Sequence, residues 1–294
     1  MIKYQGSKIH TEQRIIMVKS NTGKNAAKSA IIIIIFTLGS KVLGFLRETL
    51  IAYRFGSSMK TDAFVIALTA TSVVTKLISK AISTTFIPIL SEIEAREGKK
   101  GKISHTNNML NIVGIMGILL VILSWVAAPI LVKLFASGFK GKQYATTVKL
   151  IKIGSPMVLF DVLSGVVTGY LHSEQKHLSS AARGVPFNFI YIIFLLLFGS
   201  KYGINALMVV SVIATISQLL IQLPEMKDTG FKYRFIFEIK DKYIIKAIYL
   251  SIPILIGVAI NDINAIVDKT LASHLVKGSI SALNYASKLR SLIS

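Results

Sequence analysis

Five ionisable side chains interrupt two otherwise apolar stretches near the start of the chain: Lys41, Arg47 and Glu48 in the first, Lys76 and Lys80 in the second. A charge at the centre of a membrane helix costs about 2.5 to 3.5 kcal/mol, so charges in this number point to a water-filled cavity or a bundle interior, not to lipid. On a helix Lys41 and Glu48, seven apart, share a face; Arg47 and Arg54 share another; Lys76 and Lys80 lie one turn apart. Pairing of Lys41 with Glu48 and snorkelling of Lys80, Arg47 and Arg54 explains single charges near helix ends. Cations on two neighbouring helices are better explained by a cationic cavity, which selects an anion such as phosphate or pyrophosphate. Arg47 would bring a planar fork to it and the lysines point charges.

Asn261, Asn264 and Asp268 form a second constellation, three and four residues apart, with their side-chain oxygens on one helical face. Oxygen ligands suit a hard monovalent cation such as sodium, with backbone carbonyls or another helix completing the shell. The competing reading pairs Asp268 with Lys269 or a cavity lysine and lets the Asn residues bond across helices. Asp161 is a lone carboxylate at membrane depth. Gly165 and Gly169 form a small-xxx-small pair suited to close helix approach. Pro88, Pro129, Pro156, Pro186, Pro224 and Pro253 sit in or at the ends of apolar stretches, where they kink helices or free carbonyls.

Motifs for enzymatic chemistry are missing from the sequence. There is no Walker A run, no strand-linked GxGxxG, no HExxH and no GxSxG. His172 and His177 flank a turn at a spacing poor for a metal. With no Cys, thiolate sites, disulfides and cysteine nucleophiles are excluded. The expectation is a non-enzymatic protein without a resident cofactor.

The elements that must carry these residues are apolar stretches of membrane length. They run from Ala30 to Tyr53, Ala63 to Leu90, Met109 to Phe135, Thr147 to Leu171, Val185 to Gly199, Ile204 to Leu223 and Tyr243 to Leu275, with an eighth from Ile280 onward. Composition agrees: 52% of the 294 residues are hydrophobic and only 16% charged, against roughly 25% charged in a soluble domain. The net charge of +20 would suggest nucleic acid in a polar protein; among apolar stretches of this length it is expected to orient helices and meet anionic lipid. No nucleic-acid partner is expected. Loops holding Arg96, Lys99, Lys100, Lys102, Lys176, Arg183, Lys227, Lys232 and Arg234 outweigh the opposite set, which places the N-terminus in the cytoplasm of a multi-pass cell-membrane protein.

The expected organisation is all-α: a basic cytoplasmic tail over 1–28, a six-helix lobe over 29–224, a cytoplasmic loop over 225–242, and a seventh and partial eighth transmembrane helix over 243–294. The polar run before Met17 has no periodicity, so Met17 competes with Met1 as the start.

The run Ser40-Lys41-Val42-Leu43-Gly44-Phe45-Leu46-Arg47-Glu48, then Phe55-Gly56, Thr61-Asp62-Ala63-Phe64 and Phe86-Ile87-Pro88-Ile89-Leu90-Ser91-Glu92, resembles the N-terminal signature of the MurJ/MviN family. Pro186-Phe187-Asn188, the stretch Gln218 to Pro224 and Ser279 to Lys288 resemble later helix regions of the same family. The resemblance implies a lipid II flippase of the MOP exporter superfamily, with a MATE-like fold of two six-helix lobes and two extra helices. Such a protein moves the undecaprenyl-pyrophosphate-linked precursor from inner to outer leaflet by alternating access. Carried over by position, the family's cavity residues fall on Lys41, Arg47, Asp62, Lys76 and Lys288, and its sodium-binding aspartate on Asp268. Lys41 and Lys288 stand where the family has arginine, keeping the charge and losing the fork. The implied partners are lipid II, membrane lipids and cell-wall synthesis proteins, with a sodium ion or the membrane potential as coupling force. Family members have about fourteen helices, so the expectation is an N-terminal portion without the C-lobe: a fragment of a flippase or a truncated product. The alternatives are an exporter of another lipid-linked polysaccharide precursor and a non-transporting membrane scaffold.

Overall fold

The first apolar stretch forms α1 (Ala30–Phe55). Gly56 closes it in the left-handed region (φ +62°), where a side chain would be strained. Ser58 then starts α2 (Met59–Phe135), its Oγ accepting the Thr61 N–H at 3.3 Å. The computed structural model describes residues 30–199 and 201–293, with side chains except at 74, 258–262, 265 and 291–293. The basic tail, both candidate start methionines and the Asn261 side chain lie outside it.

A straight helix of 77 residues would be about 115 Å long, several times the hydrocarbon thickness of a bilayer. It is broken at Gly98 (φ 72°, ψ −175°), and its two arms, 59–97 and 99–135, run back along each other. The pairing is visible at both ends. Ile93 clusters with Met109 and Val113 near the break, and Ala63 to Ala70 with Ala128 and Val132 far from it. The stretch expected as a loop between the second and third spans is therefore helical except at one residue. Charge pairing explains this: Arg96 meets Glu92 at 3.1 Å one turn away, and Lys102 reaches across the break to Glu94 at 2.8 Å.

The rest of the chain packs on this hairpin. The expected fourth span is α3 (Gly141–Gly154) and α4 (Pro156–Ser173), parted by Ser155 where Pro156 opens the second helix. α5 (Leu178–Ala182) and α6 (Gly184–Leu197) follow, then α7 (Ile204–Leu220) and α8 (Leu223–Asp228). An irregular segment leads to α9 (Lys242–Ala272), whose first turn is capped by Asp241 accepting the Tyr243 N–H at 2.7 Å, and to α10 (Ser279–Ile293). Every regular element among the described residues is a helix.

Two apolar clusters hold the bundle, one at each end. Phe64, Ile66, Leu150, Leu195 and Leu207 anchor the first, and Phe86, Leu90, Ile93, Val166 and Tyr170 the second. The outward faces are equally apolar: Ile118, Leu119, Ile122, Trp125 and Val126 on α2, Ile193, Leu196 and Leu197 on α6, and Val209 and Ile213 on α7 are all exposed. Among the described residues five helical stretches are long and apolar enough to cross a membrane: α1, the α2 hairpin, α3 with α4, α5 with α6, and α7 with α8. A surface of this kind is stable against lipid, and the protein is a multi-pass, all-α membrane protein.

Candidate functional site

α1 brings Arg47 and Glu48 to the bundle interior as neighbours. Arg47 Nη2 donates to Glu48 Oε1 at 2.6 Å, and its guanidinium lies 5.2 Å from the Phe187 ring centre and 5.1 Å from that of Tyr191. The side chain is thus held against the aromatic residues of α6. Its Nε is buried and has no hydrogen-bond partner among the described residues. Glu48 therefore pairs with Arg47 and not with Lys41, which lies about 9 Å further along the helix axis and is exposed, outside the cavity lining.

The cavity beside Arg47 has a volume of about 350 Å³. Lys76 enters it from α2, Lys269 from α9 and Lys288 from α10; Glu48 and Asp161 are its carboxylates. Thr61, Thr69, Ser72, Thr215, Gln218 and Asn284 add polar groups, and Phe64, Phe187, Tyr191 and Tyr285 aromatic walls. Lys269 donates to Thr69 Oγ1. Cations thus outnumber carboxylates in a chamber with hydroxyl and amide donors, which is the chemistry of an anion site.

Asp62 has a different place from the one the resemblance implied. It is 2% exposed and lies outside the cavity lining. Its Oδ2 accepts the Gly278 N–H at 2.6 Å, and its Oδ1 accepts the Ser281 N–H and O–H, both at 2.8 Å. It thereby caps α10, where the unsatisfied N–H groups and the positive end of the helix dipole favour a carboxylate. Gly278 (φ +97°) makes room, since a Cβ there would lie 2.7 Å from the Ser57 carbonyl oxygen. From that cap, Ser281, Tyr285 and Lys288 follow on one face and lead into the cavity.

The remaining expectations separate. Arg54 does not join Arg47: its Nε and Nη2 donate to the Leu195 and Leu196 carbonyls at 3.1 and 3.3 Å, at the C-terminal end of α6. Lys80 lines a neighbouring cavity of about 430 Å³ with Lys76 and Arg183. Asn264 and Asp268 are exposed on α9. Gly165 and Gly169 serve packing, a Cβ on them falling 3.2 Å from Ser79 Oγ and from a Phe86 ring carbon. Sequence reasoning missed Lys269, Tyr191 and Tyr285. A cation within the apolar run of α9 was the available signal for Lys269; the two tyrosines carried none.

Comparison with known proteins fits this geometry. A model of the family described as lipid II flippase MurJ matches residues 51–293. The probable lipid II flippase MurJ of Buchnera aphidicola subsp. Baizongia pistaciae is 30% identical over 277 residues, 92% of this chain and 54% of the relative. The lipid II flippase MurJ of Burkholderia cenocepacia is 26% identical, covering 86% of this chain and 51% of its own. A solved lipid II flippase MurJ in an inward closed conformation superposes with a TM-score of 0.72 at 27% identity, over 89% of this chain and 55% of that one. The MATE multidrug transporter DinF-BH, with TM-score 0.66 at 13% identity, shares the fold. The chain spans about half the length of the curated relatives it matches.

Proposed function

This chain belongs to the lipid II flippase MurJ family, and from that premise we propose that its cavity receives the pyrophosphate of lipid II for translocation between the leaflets. The observation that carries the reading is the set Arg47, Lys76, Lys269 and Lys288 converging on one chamber against Glu48 and Asp161 alone. Arg47 is the centre of the site, because the two rings and Glu48 hold its guanidinium at the cavity wall while its buried Nε has no partner among the described residues, leaving a donor that a phosphate oxygen could satisfy once the side chain shifts toward the chamber. The activity is transport: the residues bind and release an anion and no bond of the substrate is broken. With the N-terminus cytoplasmic, the direction is inner to outer leaflet, by alternating access.

The cavity recognises the pyrophosphate, so exporters of other lipid-linked saccharides would share it. Asn261, Asn264 and Asp268 remain the candidate sodium ligands, supported by their spacing along α9, and the membrane potential is the other candidate driving force.

Binding of undecaprenyl pyrophosphate and of lipid II to the purified chain in detergent is the test. Arg47→Ala and Lys269→Ala should each weaken both ligands, and unchanged affinity in both variants would overturn the reading. A preference for lipid II over the glycan-free lipid would single out the peptidoglycan precursor. Loss of sodium dependence in Asp268→Asn would support the ion site.

A further inference from the structure

Three asparagines on one face of the second arm of α2 hold the irregular segment between α8 and α9. The Asn107 and Asn108 amides each bridge a backbone pair on it: Asn107 donates to the Lys232 carbonyl at 3.0 Å and accepts the Arg234 N–H at 3.1 Å, while Asn108 donates to the Glu238 carbonyl at 2.9 Å and accepts its N–H at 2.8 Å. Asn111 donates to the Ile236 carbonyl at 2.9 Å and accepts the Tyr233 hydroxyl at 2.6 Å. Backbone groups of every second residue meet the same helix face, so the segment is an extended strap whose side chains alternate between two sides.

The two sides differ in chemistry. Lys232, Arg234 and Ile236 line a pocket of about 370 Å³ with Lys100, Ser104 and Asn107. Lys100, Lys232 and Arg234 have no ion-pair partner among the described residues. Phe231 and Tyr233 line a second, mostly apolar pocket, of about 360 Å³, whose other walls include Leu110, Val167, Leu219 and Leu223, with Lys227 as its one charged residue. Along α2, Leu110 lies about 9 Å beyond Ser104, toward the apolar run. The basic pocket is therefore at headgroup level, and the apolar cleft is where the hydrocarbon begins.

We propose that one anionic glycerophospholipid of the leaflet on the Gly98 side straddles this strap, its phosphate among Lys100, Lys232 and Arg234 on one side and an acyl chain laid over the strap into the cleft on the other. Charge complementarity selects the headgroup, and the order of basic pocket and apolar cleft along α2 matches the order of phosphate and chain in a lipid. The site is separate from the Arg47 chamber, with no lining residue in common.

The test is thermal stabilisation of the chain in a neutral detergent by dioleoyl phosphatidylglycerol, with dioleoyl phosphatidylcholine and glycerol 3-phosphate in parallel. Phosphatidylglycerol should stabilise and the other two should not. The double variant Lys232→Gln/Arg234→Gln keeps the strap's backbone bonds and should need roughly 20-fold more phosphatidylglycerol for the same shift. Lys100→Gln, on the helical wall, should act in the same direction, and Leu223→Asn should lower the response to dioleoyl lipid by polarising the cleft. Lys140→Gln/Lys142→Gln, equal in charge and remote from the strap, should respond as the native chain does. An equal loss in that control, equal stabilisation by phosphatidylcholine, or equal stabilisation by glycerol 3-phosphate would each overturn the proposal.

Discussion

At the scale of single residues, the proposed binding rests on Arg47, and Asp62 positions α10. Arg47 offers a fork braced by rings and by Glu48, so charge alone should not replace it. Arg47→Lys is expected to weaken pyrophosphate binding by about tenfold, because the planar fork and the stacking are lost while the charge remains; calorimetric titration measures it. Asp62 acts through α10. Asp62→Asn keeps the size but presents an N–H₂ group to N–H donors, and should cost about 3 kcal/mol through charge-assisted bonds left unmade. The readouts are the unfolding midpoint and new solvent access at Tyr285, which the cap otherwise keeps near the Gly56 carbonyl. Lys102, 1% exposed, bonds Glu94 at 2.8 Å and Glu174 at 2.6 Å. Lys102→Met would leave Glu174 only the Lys99 ammonium at 3.5 Å and is expected to destabilise by about 1 to 3 kcal/mol, measured by thermal melting.

At the scale of elements, the hairpin of α2 is the frame on which the other helices pack. Its turn is one residue, Gly98, and a Cβ there would meet nothing within 4 Å. Gly98→Ala should therefore cost only the backbone strain at φ 72°, about 1 to 2 kcal/mol, visible as a lower melting temperature with the cavity unchanged. A second link joins the hairpin to α9: Lys246 Nζ bonds Glu92 Oε2 at 2.5 Å and holds the Glu92 carboxyl below its usual 4.5. A lowered carboxylate pKa stabilises the fold above 4.5 and loses that effect as pH falls through the lowered value. Lys246→Gln should thus melt slightly earlier than the native chain at neutral pH, and the difference should vanish on strong acidification. Both groups are partly solvated, which keeps the effect small.

At the scale of the whole molecule, the apolar exterior and the polar chamber require a bilayer. The proposed orientation gives a direct check, since the sequence has no Cys. A single Cys at Lys99 should react with an impermeant thiol reagent only from the cytoplasmic side, and one at Ser137 only from outside; the reverse pattern would invert the topology. By itself, the sequence determined the all-α membrane class, the order of apolar elements and the presence of cations at membrane depth, because hydropathy and the cost of buried charge are properties of residue type and spacing. The motif around Arg47 was legible through its resemblance to the MurJ/MviN family. Tertiary structure alone decided which charges meet. Lys41 and Arg54 share α1 with Arg47 yet lie outside the chamber or on the end of α6, while Lys269, more than two hundred residues away in sequence, lies inside. Asp62 became a helix cap and the strap acquired two chemically distinct sides only through packing, since periodicity assigns a residue to a face of its own helix but not to the neighbour that face will meet.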